Sequence, residues 1–394
     1  MRIAFTPEQE KLRAELRDYF EQFMTDEYTR SARDLGMLEG GSPLYWEALA
    51  KMGADGWLGI GWPEEYGGRG ATPIEQLILA DAAQTANFPF PFLTIGTVGP
   101  TIARFGSEDQ KNDYLPRILA GEINFSIGYT EPSAGTDLAS LETKAVRDGD
   151  EWVISGQKVF TSLANFSQYC WLAARTDPDV PKHAGLTIFI VPMDAPGVSV
   201  TPIETVGGLR TNATFYDEVR VPDSNIVGGE GNGWKMIVSQ LNHERVSLTP
   251  SGPPLRLIEE TRAWAQETKR ADGRRVIDDP WVQTNLAKAR AKAEVVKLMN
   301  WETAWAMTHD KLTPAMSSAT KVYCTEFAIG AYELLMEVLG PQSTIKAGER
   351  GDVIRGAIEM RYCTSLVLTF GGGTNEVQRD IIAMAGLGLP HYKA

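Results

Sequence analysis

Tyr129-Thr-Glu-Pro-Ser-Ala-Gly-Thr-Asp137 marks the point at which the chain changes period. Small, hydroxylated and turn-forming residues dominate it. That predicts a turn whose backbone N–H groups and hydroxyls can be approached closely, since bulk there would block the approach. Downstream come short β-rich runs, Glu151-Trp-Val-Ile154, Tyr169-Cys-Trp-Leu-Ala173, Leu186-Thr-Ile-Phe-Ile-Val191 and Val198-Ser-Val-Thr201, separated by Gly, Pro and Asp, the pattern of a β domain. Asp148-Gly149, just ahead of Glu151, predicts a tight turn joining two strands, because both residue types tolerate positive φ. Upstream the pattern is helical. Thr6 can cap, Pro7 can occupy the first turn and Gln9 can reach back in a capping box; Leu12, Leu16, Tyr19, Phe20 and Phe23 then form an apolar stripe at helical spacing. Further helices are broken at Gly40-Gly41-Ser42-Pro43 and at Pro63-Glu-Glu-Tyr-Gly-Gly68. Beyond Gly231 the helical period returns, in segments near 232–248, 252–269, 280–308, 315–339 and 352–369. Helices, then strands, then helices divide the chain into residues 1–123, 124–230 and 231–394, and the fold class is α+β.

A chain of 394 residues is long enough for two or three packed regions and for burying a cofactor. Hydrophobic residues make up 43% and charged residues 23%, and no apolar run reaches bilayer length, so no membrane association is expected. The N-terminus MRIAFTPEQEKLRAEL has no basic segment followed by an apolar one, which leads us to expect a cytoplasmic protein. Cys170, Cys324 and Cys363 are far apart and odd in number, against a disulfide framework or a metal site. With 38 Lys and Arg against 51 Asp and Glu the net charge is −13, and no basic cluster offsets it, so nucleic acid is excluded as a partner.

Together with Ser155-Gly-Gln-Lys-Val-Phe-Thr-Ser162, the opening segment resembles the flavin-binding signature of the acyl-CoA dehydrogenase family. Gly59-Ile-Gly-Trp-Pro-Glu-Glu-Tyr-Gly-Gly68, Phe105-Gly-Ser-Glu-Asp-Gln-Lys111 and Tyr114-Leu-Pro116 are similar to further family segments and occur in the expected order. The resemblance implies an N-terminal helical domain, a central β-barrel-like domain and a C-terminal four-helix bundle, with FAD as cofactor and acyl-CoA as substrate. It places Tyr129, Thr130, Gly135 and Thr136 along the flavin, Phe160 against the isoalloxazine and Ser162 near its reactive edge. Thr374 and Glu376 are assigned to the cofactor as well, and Thr136, Leu241, Asn242, Arg245, Gly372 and Gly373 to the substrate. An ordinary core aromatic at Phe160 and a plain surface turn at Gly135 and Thr136 are the competing structural readings.

Removing two hydrogens from the α and β carbons of a thioester needs a base for the α-proton, and a carboxylate in a dry pocket can be tuned for it. Many members of the family carry that glutamate just before the Gly-Thr of a C-terminal segment, which here reads Phe370-Gly-Gly-Gly-Thr-Asn-Glu376 and has Gly372 in its place. Isovaleryl-type members carry it on a helix of the third region, and Gln240-Leu-Asn-His-Glu-Arg-Val246 matches that helix with Glu244. Glu244 is therefore the expected base, with Gly372 leaving room for it; the bland alternative is a solvated glutamate paired with Arg245 or Lys235. Arg245 resembles a family arginine that supports this helix, and His243 has no role in the chemistry.

The resemblance also implies how the chain assembles. Family homotetramers complete each FAD site with an Arg-x-x-Phe-Gly segment and a Gly-rich loop from a neighbouring subunit. Here these read Lys269-Arg-Ala-Asp-Gly273 and Val338-Leu-Gly-Pro-Gln-Ser-Thr344. Asp272 near a diphosphate and Pro341 without an N–H fit poorly. An α2β2 heterotetramer with a related chain is expected, a homotetramer with altered adenosine contacts being the alternative. Asn-His-Glu-Arg together with the glycine-rich C-terminal segment is similar to actinobacterial dehydrogenases of steroid side-chain breakdown, which implies a bulky or branched acyl group. Electrons are expected to pass to an electron-transferring flavoprotein. An oxygen-reducing oxidase and a catalytically silent assembly subunit remain competing functions.

Overall fold

The computed structural model describes residues 4–34, 40–244 and 250–390, of which 32–34 and 241–244 are described by backbone alone. Among the described residues six α-helices come first: α1 (Pro7–Glu21), α2 (Asp26–Asp34), α3 (Pro43–Ala54), α4 (Pro73–Thr85), α5 (Gly99–Phe105) and α6 (Glu108–Leu119). α1 begins as its sequence predicts, with Thr6 accepting from Gln9 N, the Gln9 side chain returning the bond and Pro7 in the first turn. Ser42 caps α3 in the same way, accepting from Tyr45 N. Ahead of α5 lies a π-helical turn, Leu93–Val98.

Strands begin at β1 (Phe125–Gly128) and continue through β2 (Lys144–Asp148), β3 (Glu151–Lys158), β4 (Tyr169–Arg175), β5 (Leu186–Pro192), β6 (Val198–Glu204), β7 (Arg210–Pro222) and β8 (Ile226–Val227). They form one sheet in the order β6-β7-β3-β2-β4-β5-β8, with β1 pairing parallel to β4. The sheet curls over its own core. Trp152 of β3, Leu172 of β4, Phe189 of β5 and Val219 of β7 share one apolar cluster, and the Trp152 and Phe189 rings meet edge-on at 5.6 Å. The β2–β3 turn sits one residue beyond the predicted place: Asp148 pairs with Glu151, so the loop is Gly149-Asp150, and only Gly149 takes positive φ, 65°.

The third region holds α7 (Gly233–Glu244), α8 (Gly252–Glu267), α9 (Pro280–Thr308), α10 (Pro314–Leu339), α11 (Ala357–Ser365) and α12 (Asn375–Ile381). Leu257, Val282, Leu286, Leu335 and Ile358 bring α8, α9, α10 and α11 into one core, the expected bundle. The helix expected from residue 352 starts only at Ala357. Ile354, Arg355 and Gly356 have φ of 53°, 56° and 61°, left-handed values that cannot continue a right-handed helix. A larger core joins the first two regions, uniting Leu16, Phe20, Leu49 and Ile78 with Trp171, Ile190 and, from α7, Ile237. α7 is therefore packed against the strands and the N-terminal helices. On the outside of α9, Trp281, Val295, Leu298 and Trp305 are exposed. Among the described residues no helix is long and apolar enough to cross a membrane.

Candidate active site

β1 delivers Tyr129, Thr130 and Glu131 into a turn that closes on itself, Glu131 N donating to Ala134 O (3.0 Å) and Ala134 N to Glu131 O (3.1 Å). Gly135 and Thr136, next along, are exposed. A Cβ at Gly135 would meet nothing within 4 Å, so the open side of the turn is free to receive a ligand.

Beneath the turn lies a buried ion pair. Lys158 Nζ, at the end of β3, is 2.7 Å from Glu131 Oε1, and the two side chains are 0% and 4% exposed. The same ammonium donates to Tyr129 O at 3.2 Å, while Glu131 accepts Glu142 N at 2.6 Å and Thr143 N at 2.8 Å. Burial pushes Lys158 down to about 8 in spite of the adjacent carboxylate. Burial works in the opposite sense on Glu131, but the Lys158 charge and the hydrogen bonds outweigh it and hold the carboxyl below its ordinary range.

Phe160 follows directly from β3. Val159 N donates to Thr130 O and Thr161 N to Asn212 O, both at 2.8 Å, so the residue between them is held from two sides. Its φ is 59°, strained for an aromatic residue, and the side chain is 61% exposed. An ordinary core aromatic would be buried. Asn212, itself fully buried, returns a bond from Nδ2 to Thr161 O at 3.0 Å. Ser162 Oγ shares a hydrogen bond with Thr211 Oγ1 at 3.2 Å. The turn and the Phe160–Ser162 segment thus form one hydrogen-bonded unit.

A second chain of bonds leads to α7. Trp171 Nε1 on β4 donates to Tyr129 Oη at 3.0 Å. The indole can only donate, which leaves the Tyr129 hydroxyl hydrogen for Gln240 Oε1 on α7, with which it is bonded. The described part of α7 runs to Glu244, one helical turn past Gln240. The side chains of Leu241, Asn242 and Glu244, and all of Arg245, lie outside the described residues.

Gly372, Gly373, Thr374 and Glu376 form a separate cluster. Gly372 and Gly373 have φ of 69° and 93°, Thr374 caps α12 by accepting from Val377 N, and Glu376 is exposed in the first turn. Lys321 of α10, 1% exposed, donates to Thr369 O at 3.1 Å, Gly373 O at 2.8 Å and Asn375 Oδ1 at 2.7 Å. The hydrogen bonds among the described residues fasten this loop to α10 and do not join it to the Tyr129–Thr136 turn.

Lys158, Glu131, Trp171 and Gln240 do work at this site that motif reading overlooked. Signals existed. Lys158 occupies an inward position of β3, and Gln240 extends the buried stripe of Met236 and Ile237, so each is a polar residue where the period calls for an apolar one. The two segments expected to serve a neighbouring subunit make their contacts locally. Asp272 Oδ2 pairs with Arg274 at 2.9 Å inside a hairpin whose Gly273 has φ of 85°, and Pro341 lies in a short 3₁₀ turn, Gly340–Thr344.

Residues 6–122 match the N-terminal domain of acyl-CoA dehydrogenases, residues 126–219 their middle domain and residues 231–387 their C-terminal domain. Over 396 aligned residues the chain is 52% identical to acyl-CoA dehydrogenase FadE26 of Mycobacterium tuberculosis, covering 99% of each. Among solved structures, the ChsE4–ChsE5 complex from Mycobacterium tuberculosis is similar with a TM-score of 0.93 and 53% identity, each chain covered in full. The Tcur3481–Tcur3483 steroid ACAD is similar with a TM-score of 0.93 and 48% identity, again over the whole of both chains.

Proposed function

Since the chain belongs to the acyl-CoA dehydrogenase family, we propose that it oxidises a bulky or branched, steroid side-chain-like acyl-CoA to the trans-2-enoyl-CoA, in the cytoplasm, with Glu244 as the base. The observation that carries this reading is the hydrogen-bonded path from Trp171 through Tyr129 to Gln240. It ties the turn suited to a flavin to the helix that carries Glu244.

The residues present fit FAD. The exposed Phe160 ring on a constrained backbone offers a planar ring a face, the space at Gly135 admits close approach, and Thr130, Thr136 and Ser162 supply hydroxyls. When bound, FAD supplies the acceptor for the β-hydrogen. Glu244 takes the α-proton and holds it on its carboxylate. Gly372 and Gly373 leave room beside the thioester, and Leu241, Asn242 and Arg245 contribute to its binding from the end of α7 and beyond. Electrons leave to an electron-transferring flavoprotein.

Two of the similar solved structures carry two-chain names, one of them a steroid ACAD, which supports both the substrate class and an α2β2 assembly with a related chain. The self-closed Asp272 hairpin and the exposed apolar stripe of α9 point the same way: this chain has a face to cover and little to offer a neighbour's diphosphate.

Anaerobic titration of the flavin-loaded protein with CoA thioesters tests the reading. Wild type should bleach. Glu244→Gln should keep flavin and bind thioester yet be reduced about 10²- to 10⁴-fold more slowly, because the amide cannot accept the proton. Near-normal reduction in that variant would sink the assignment of the base.

A further inference from the structure

Gln240 is 2% exposed, and its two polar atoms fare differently. Oε1 is engaged by the Tyr129 hydroxyl, whereas Nε2 is buried without a hydrogen-bond partner among the described residues. The network fixes which way round the amide sits: Trp171 donates to Tyr129, Tyr129 donates to the Gln240 carbonyl, and the NH₂ group is turned away from both. A buried donor left unmade is costly, a penalty that makes sense where a ligand brings the acceptor.

Thr97 Oγ1 is likewise buried and unpartnered, and its π-helical turn, Leu93–Val98, packs against α7. Turns of this kind recur at functional sites. Two unmade hydrogen bonds thus occur on elements that pack together, with Gln240 one helical turn before Glu244.

We infer that Gln240 Nε2 donates a hydrogen bond to a carbonyl oxygen of the bound ligand, with the acyl-CoA thioester rather than the flavin as its source. The inference rests on the acyl-CoA reading above. Gln240 is then a binding residue for the substrate, held at a set angle by Tyr129 and Trp171.

The experiment compares Gln240→Leu and Tyr129→Phe on the flavin-loaded protein. Both remove the Tyr129–Gln240 bond, but only the first removes the amide donor. The probes are 3-thiaoctanoyl-CoA, whose sulfur replaces the β-carbon, free CoA, which lacks the acyl carbonyl, and FAD itself. Gln240→Leu should weaken the thioester about 5- to 10-fold relative to free CoA, while Tyr129→Phe, which keeps the amide donor and loses only the bond that sets its angle, shifts that ratio less. A purely structural residue would lower the melting temperature in both variants and leave the ratio unchanged in both, which overturns the inference. Weaker FAD binding in Gln240→Leu beyond that in Tyr129→Phe, at an unchanged thioester ratio, overturns the substrate as source and assigns the carbonyl to the flavin. If no CoA thioester bleaches the wild-type flavin, the functional reading fails instead, and the FAD comparison still decides whether Gln240 is a ligand donor.

Discussion

Lys158 Nζ stands 2.7 Å from Glu131 Oε1 with both side chains shut off from water. The pair joins the end of β3 to the turn that follows β1, 27 residues earlier in the chain. Attraction between two desolvated charges offsets their dehydration only while both are present. The pair is therefore a fastening for the turn whose loss should be felt at the cofactor.

Lys158→Met leaves the Glu131 carboxylate buried and unpaired, and should destabilise the chain by about 3–5 kcal/mol and deplete it of flavin. Lys158→Met with Glu131→Gln removes the stranded charge and should recover part of the loss. Urea denaturation and the ratio of flavin to protein absorbance report the two effects. A Lys158→Met protein as stable and as yellow as wild type would show that the pair is idle.

Alkaline pH separates two consequences of the same group. In the folded chain Lys158 gives up its proton near pH 8, against about 10.5 for an ordinary lysine. Between these values the unfolded chain binds the extra proton, so this lysine's contribution to global stability rises with pH rather than falling. Locally the charged donor to Glu131 and Tyr129 O is lost. Flavin release, followed by its fluorescence, should therefore increase above about pH 8 without a matching drop in melting temperature from this group. Retention that stays flat to pH 10 would contradict it.

At Gly372 the backbone has φ of 69°, so any side chain adds strain of roughly 1 kcal/mol or more. Gly372→Ala should show that strain alone. Gly372→Phe should show the same strain and in addition exclude acyl-CoA, at unchanged flavin content, since the position adjoins the thioester in the proposed site. Loss of flavin with intact acyl-CoA affinity would place this loop against the cofactor instead.

Expressed alone, the chain should be poorly soluble or of low mass and carry well under one FAD per chain; with a related partner chain it should form a tetramer with half its potential sites filled. Mass by light scattering and flavin by absorbance decide this. A stable homotetramer with one FAD per chain overturns the heteromer.

The three-part order was legible because hydrophobic period is a local property: Leu16 and Phe20 on α1, or the alternation of β3, need no knowledge of the rest of the chain. Failures came where a few backbone angles decide. Ile354-Arg355-Gly356 interrupts a stretch of helical composition with three left-handed residues, and of the three only Gly356 announces it. Glu131 and Lys158 were visible as parts of motifs, but their pairing depends on how Val159 registers against Thr130. Gln240 stood in the same quoted segment as Glu244 and passed unnoticed, since only the arrival of Tyr129 from another region gives its carbonyl a partner.

The long antiparallel pairing of β3 with β7 sets an order of events during synthesis. Gly156 is registered against Tyr216 and Lys158 against Thr214, and the Phe160–Ser162 segment is held by Thr211 and Asn212. A nascent chain that has emerged only as far as Ser162 already contains the whole flavin signature, yet cannot hold it in shape. Cofactor capture must wait until roughly fifty further residues have left the ribosome, a few seconds at ordinary rates of translation. Until then Lys158 and Glu131 are merely two solvated charges on an unfinished sheet.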